Sequence, residues 1–187
     1  QTNILLNLTT AFLIIFGGIG FLVILEILKY RKFKKLSLHS KVVITTSAVL
    51  IVAGTILLKM TEDITWMGAF FQSVSARTAG FSTYQIGSFT NAGLFVLCIL
   101  MFIGASPGST GGGIKTSTFF ILIQAAKSVC AQGPVHAFHR NISAQNISKA
   151  CMITILSGGV VCAATFLMCL LEPECTFLQL LFEVVSA

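Results

Sequence analysis

Two stretches hold residue types that could do chemistry through the backbone, and neither contains an acid, a histidine or a cysteine. The first is Thr78-Ala79-Gly80-Phe81, within the small, polar run Ser73–Thr83. Main-chain carbonyls around one glycine can replace the hydration shell of a cation, because a glycine frees the backbone for the unusual turn this needs. The rival reading of the run is an ordinary external turn. The second stretch is Gly104-Ala105-Ser106-Pro107-Gly108-Ser109-Thr110-Gly111-Gly112-Gly113, with Lys115 just beyond it. Five glycines, a proline and three hydroxyl residues cannot hold a helix, yet apolar helical patterns flank them on both sides. At membrane depth such a break is tolerated only where protein buries it or where it lines a wet cavity. It is therefore expected to be a mobile gate beneath the filter, a static packed break being the rival. Lys115 is expected either to pair with a carbonyl or carboxylate or to snorkel toward the cytoplasm.

A phosphate loop over Gly108–Thr116 is excluded by spacing. The Walker pattern needs lysine directly after its last glycine, and here Ile114 intervenes. No nucleophile–base pair, paired carboxylates or His/Cys ligand spacing occurs, so neither an enzyme nor a cofactor is expected, and no metal beyond a permeating ion. The six cysteines lie mostly in apolar runs without a CxxC pair and read as small buried hydrophobes. A disulfide framework or metal site is the rival.

The elements that must position these stretches are membrane elements. The chain of 187 residues is 55% hydrophobic and 10% charged, with a mean hydropathy of +0.92, whereas soluble domains carry about 25% charged residues. Its net charge of +6 is concentrated in Lys29–Lys35 and Lys41, which points to membrane topology rather than nucleic acid. Ile4–Leu28 is long enough for one span, with Gly17-Gly18-Ile19-Gly20 opening a patch for a close helix neighbour. A dinucleotide fingerprint fails there because position 23 is Val. The basic cluster that follows belongs on the cytoplasmic side, where it could also meet anionic headgroups. Val42–Leu58 is the next span, N-capped by Ser37 or Ser40. Ile64–Ser75 is too short to cross and reads as a pore helix, Trp66–Ser75, whose partly negative C-terminal end faces the cavity. Arg77 is awkward beside a cation path and is expected on the outer, structural side of the loop. Phe89–Ile103 and Ile114–Ala126 form one span broken by the glycines. Ala150–Leu171 spans again, and Cys175–Ala187 is a second short apolar helix. Asn141-Ile142-Ser143 and Asn146-Ile147-Ser148 match a glycosylation pattern but fall in a loop assigned to the cytoplasm. With no charged leader before the first run, a signal peptide is not expected, and both ends read as cuts through a longer chain.

The two short helices repeat one another. Ile64–Ala76 aligns with Cys175–Ala187 at an offset of 111, with Thr65/Thr176, Phe71/Phe182, Val74/Val185, Ser75/Ser186 and Ala76/Ala187 identical. Parallel units of span, pore helix and span are the signature of a pore with several similar walls.

At Gly17–Phe21, Leu36–Lys41, Ser75–Phe81 and Gly104–Thr116 the sequence resembles the Trk/Ktr/HKT superfamily of potassium transporters, closest to the bacterial Ktr-type membrane subunit. The resemblance implies an all-α membrane protein, a fragment of a four-repeat fold around one pore. Residues 1–28 would close a preceding repeat, 36–126 form the third, and 147–187 open the fourth, cut before its own filter. It implies uptake of K+, with Na+ left open, through Thr78–Phe81 and a gate at Gly104–Gly113. The expected partners are membrane lipid, the other repeats, a second copy in a homodimer and a cytoplasmic nucleotide-binding RCK-type ring. The expected location is the bacterial plasma (inner) membrane, multi-pass. The alternative from another class is a secondary carrier that binds a solute at the broken helix.

Overall fold

The computed structural model describes residues 3–77, 79–131, 136–138 and 140–187. Eight α-helices are present among them: α1 Ile4–Ile19, α2 Phe21–Tyr30, α3 Leu38–Thr61, α4 Trp66–Ser75, α5 Asn91–Phe102, α6 Thr116–Ala131, α7 Ala144–Leu171 and α8 Phe177–Ser186. The one departure from an all-helical chain is a two-residue antiparallel pairing of His136–Ala137 with Arg140–Asn141 in the polar connection before α7.

Local signals fix most helix starts. Ser37, Thr65 and Thr90 each accept an amide N–H from the first turn of α3, α4 and α5, at 3.1–3.2 Å. Of the two serines considered for α3, Ser37 is the cap. Thr176 and Gln179 form a reciprocal capping box on α8. Two carboxylates reinforce this. Glu26 of α2 accepts from Ser37 N–H (3.0 Å) and Ser40 Oγ (2.7 Å), and Glu62 at the end of α3 accepts from Thr90 N–H (2.9 Å) and Oγ1 (2.7 Å). An acid at a helix N-terminus meets unpaired N–H groups and the positive end of the dipole, so each ties one helix to the start of another.

Among the described residues only α3 and α7 are by themselves long and apolar enough to cross a membrane, with mean hydropathies of 2.1 and 2.2. The expected single span over Ile4–Leu28 is instead two helices bent by 97°. Gly20 makes the elbow at φ 93°, a conformation that side-chain-bearing residues rarely adopt. A Cβ at Gly20 would lie 2.7 Å from the carbonyl oxygen of Pro107, so the elbow seats the glycine-rich break rather than a neighbouring helix.

The core lies where α3, α4 and α5 meet. Leu58, Ile64, Ala69, Phe89, Leu94, Leu97 and Leu100 form one buried cluster, against which Leu178 and Phe182 of α8 pack. Gly54 permits the approach of α3 to α4: a Cβ there would sit 2.5 Å from Ser73 Oγ. Ser73 in turn donates to the carbonyl of Ile51 at 3.0 Å, so its buried hydroxyl is satisfied. α8 begins and ends 111 positions after α4, at 66 and 177 and at 75 and 186, the offset already visible in the sequence.

Candidate functional site

α4 ends at Ser75, and the loop that follows folds back on it. Ala79 and Gly80 both donate their N–H groups to the carbonyl of Ser75, at 3.0 and 3.2 Å. Ser75 Oγ donates to the carbonyl of Phe81, and Gln72 Nε2 donates to Ser82 Oγ at 2.9 Å. The amides of the loop thus point at the helix end. Among the described residues no hydrogen bond uses the carbonyl of Ala79 or Gly80. The carbonyl of Phe81 spends one of its two lone pairs on Ser75. Gly80 sits at φ 74° with nothing within 4 Å of where a Cβ would be. Glycine is required there by backbone angle alone. Thr78, the remaining filter candidate, lies outside the described residues.

Gly80 also lines two cavities. The larger, about 740 Å³, has walls from Ala79 and Gly80, from Gly112 and Gly113, from Ser157 and Val161 of α7 and from Val185 and Ser186 of α8. The smaller, about 320 Å³, lies between Gln72, Gly80, Phe81, Ile86 and Phe182. The loop therefore borders both cavities. In the larger cavity it shares a wall with Gly112 and Gly113 of the break, which follow Gly80 by 32 and 33 positions in sequence.

The break, residues 103–115, is compact. The amide of Ala105 donates to Gly112 O (3.3 Å), that of Ile114 to Phe102 O (2.9 Å) and that of Thr116 to Ala105 O (3.3 Å), closing the segment on itself. A Cβ at Gly104 would lie 2.0 Å from Gly112 O, so the two arms meet backbone to backbone. Ser106, which is fully buried, accepts from Thr116 Oγ1 through its hydroxyl (3.1 Å) and from Ser109 through its carbonyl. Of the alternatives for Lys115, the carbonyl contact is formed: Nζ donates to Gly111 O at 2.6 Å. The outer surface of the break is held by the α1–α2 elbow, where Ser106 N–H donates to Gly18 O and Phe21 N–H donates to Gly108 O, both at 3.1 Å.

Arg77 is not on the outer side of the loop. It is buried, and its guanidinium donates to the carbonyl and hydroxyl of Ser47 in α3 and to the carbonyl of Gly104, at 3.3–3.4 Å. Burial of a charge signals its own constraint, but nothing in the residue pattern identifies Ser47 or Gly104 as the partners. Gly18 and Gly20 do carry a signal, their missing side chains, but it points equally to a helix neighbour, and the structure gives the place to the break.

Similarity to known proteins runs along the whole chain. A family model described as TrkH, cation transport protein, matches residues 35–187. The Ktr system potassium uptake protein B of Vibrio alginolyticus is 36% identical over 198 aligned residues, covering 98% of this chain and 43% of that protein. The potassium/sodium uptake protein NtpJ of Enterococcus hirae is 34% identical, covering all of this chain and 45% of that protein. Ktr system potassium uptake protein B of Bacillus subtilis is 33% identical over 97% of this chain and 43% of its own length. The chain thus spans less than half the length of these relatives. The crystal structure of the potassium transporter TrkH from Vibrio parahaemolyticus superposes on 92% of this chain and 39% of its own, with a TM-score of 0.65 at 21% identity, a likeness of fold.

Proposed function

The chain belongs to the TrkH family of cation transport proteins, a family of transporters and not of enzymes, and from that premise we propose that it is the K+-conducting part of an uptake transporter. The observation that carries this is the cavity of about 740 Å³ that Ala79 and Gly80 line together with Gly112 and Gly113. The carbonyls of Ala79 and Gly80, free of hydrogen bonds among the described residues, are the ligands a dehydrating cation needs. Thr78 and Phe81 complete the filter on either side of them. The α4 dipole puts partial negative charge at the same end.

In this reading Gly104–Gly113 with Lys115 forms the gate. Its grip on the elbow and on itself is the closed arrangement, and the Lys115–Gly111 contact is one of the bonds that opens. The offset of 111 between α4 and α8 supports assigning 1–28 to a preceding repeat, 36–126 to the third and 147–187 to the opening of the fourth. α7 supports a setting among lipid and further walls: only 6% of its most apolar window is buried although its mean hydropathy is 2.2. The whole transporter is then a multi-pass protein of the bacterial inner membrane, working as a homodimer with a cytoplasmic nucleotide-binding ring, and carrying K+ with Na+ as competitor or companion. The cation-transport family gives no support to an organic-solute carrier.

The test is ion selectivity in the full-length transporter. Replacing Gly80 by serine is expected to lower K+ over Na+ uptake at least about tenfold, the scale of one lost carbonyl-dipole arrangement. Selectivity equal to that of the parent, at equal surface expression, would remove Gly80 from the filter.

A further inference from the structure

Arg77 carries a charge that the proposed conduction path does not use. It immediately precedes the filter residues, is only 8% exposed, and its polar partners are two carbonyls and one hydroxyl. No carboxylate is among them, and its Nε has no partner among the described residues. Beside it lies a void of about 20 Å³, room for one water, walled largely by Ile14, Ile15, Ile51 and Val74. A guanidinium cannot shed its proton to escape such a site, and carbonyls offset only part of its lost hydration. A buried charge of this kind is costly as packing, which directs attention to what it joins.

It joins three elements. The Arg77 N–H is fixed to the end of α4 through Val74 O at 3.3 Å. Both Nη atoms reach Ser47 of α3, and Nη2 also reaches Gly104 O, the first carbonyl of the break. Gly104 is in turn wedged against Gly112, which lines the cavity beside Gly80. A shift of the break therefore moves Gly104, and Gly104 cannot move without stretching the guanidinium contact or displacing the start of the filter loop.

We propose that Arg77 is a positioning residue that couples the filter loop to the break, so that cation occupancy at Ala79–Gly80 and the conformation of Gly104–Gly113 bias each other. This rests on the filter and gate reading above. The guanidinium fork is essential to it, because two points on α3 and one on the break must be held from one planar group.

The experiment is amide exchange of peptides covering 103–115 in the purified full-length transporter, in K+ and in an equal concentration of choline. In the parent, K+ should change exchange in this segment at least about fivefold, the lower range of a coupling between sites. Arg77→Met should abolish that K+ dependence while leaving α5 and α6 peptides unchanged, an outcome general loosening would not produce. Arg77→Lys, which keeps the charge but not the fork, should retain only part of it. Should Arg77→Met not reach the membrane, Ser47→Ala removes one contact alone and should reduce the K+ effect. Full K+ dependence in these variants, or none in the parent, overturns the coupling. The gate reading is tested separately by K+ flux after shortening Gly108–Gly113: a rise supports the gate whatever the exchange shows, and a flat or falling flux removes it.

Discussion

Gly80 and Gly104 stand for two regions that use the same residue for opposite reasons. Gly80 has a left-handed φ of 74° and empty space where a side chain would begin. Gly104 has no positive φ, yet a Cβ would be placed 2.0 Å from Gly112 O. The Gly80 loop needs glycine for backbone angle, and its surroundings are open. The break needs glycine for contact, and its surroundings are closed. A segment that encloses void is suited to hold a small ion. A segment whose arms touch backbone to backbone is suited to two discrete arrangements, packed or parted.

The contrast can be broken by substitution. Gly104→Ala forces two main-chain segments apart, and a loss of about 3 kcal/mol is expected from overpacking without a flexible neighbour to yield. A fall in thermal stability of the full-length protein checks it, and an unchanged Tm would mean the break is already open in solution. Gly20→Ala combines a φ of 93° with a 2.7 Å approach to Pro107 O. About 2 kcal/mol is expected, with raised K+ flux because the elbow no longer seats the break. Flux no higher than in the parent would separate the elbow from gating. Gly80→Ala meets no neighbour, so it should cost only about 1 kcal/mol, from the left-handed conformation, while selectivity falls sharply. A large Tm change with intact selectivity would reverse the comparison. Ser75→Ala is the mildest. It removes the hydroxyl that holds the carbonyl of Phe81, at about 1 kcal/mol or less, and should broaden K+/Na+ discrimination slightly in competition uptake.

The same contrast separates what was legible from what was not. The run Trp66–Ser75 was readable as a short helix because an apolar stretch of that length cannot cross a membrane. Gly104–Gly113 was readable as a break because five glycines and a proline leave no alternative. The 97° elbow was not readable: Gly17-Gly18-Ile19-Gly20 permits either a close helix contact or a bend, and propensity does not choose between them. Arg77 was misplaced for a related reason. A charge beside a cation path was expected to turn toward water, but a guanidinium can instead be held by carbonyls supplied 30 and 27 positions away.

The sequence by itself determined the elements: apolar length, caps, glycine clusters and the offset of 111 are local or periodic properties carried by residue type. Tertiary structure alone decided which surfaces meet. Gly80 lines one cavity with Gly112 and Gly113, the elbow holds Ser106 and Gly108 backbone to backbone, and Arg77 reaches the carbonyls of Ser47 and Gly104. Every residue carries a carbonyl and nearly every residue an N–H, so the identity of the amino acids cannot say which of them are paired; only the packing of helices against one another selects the partners.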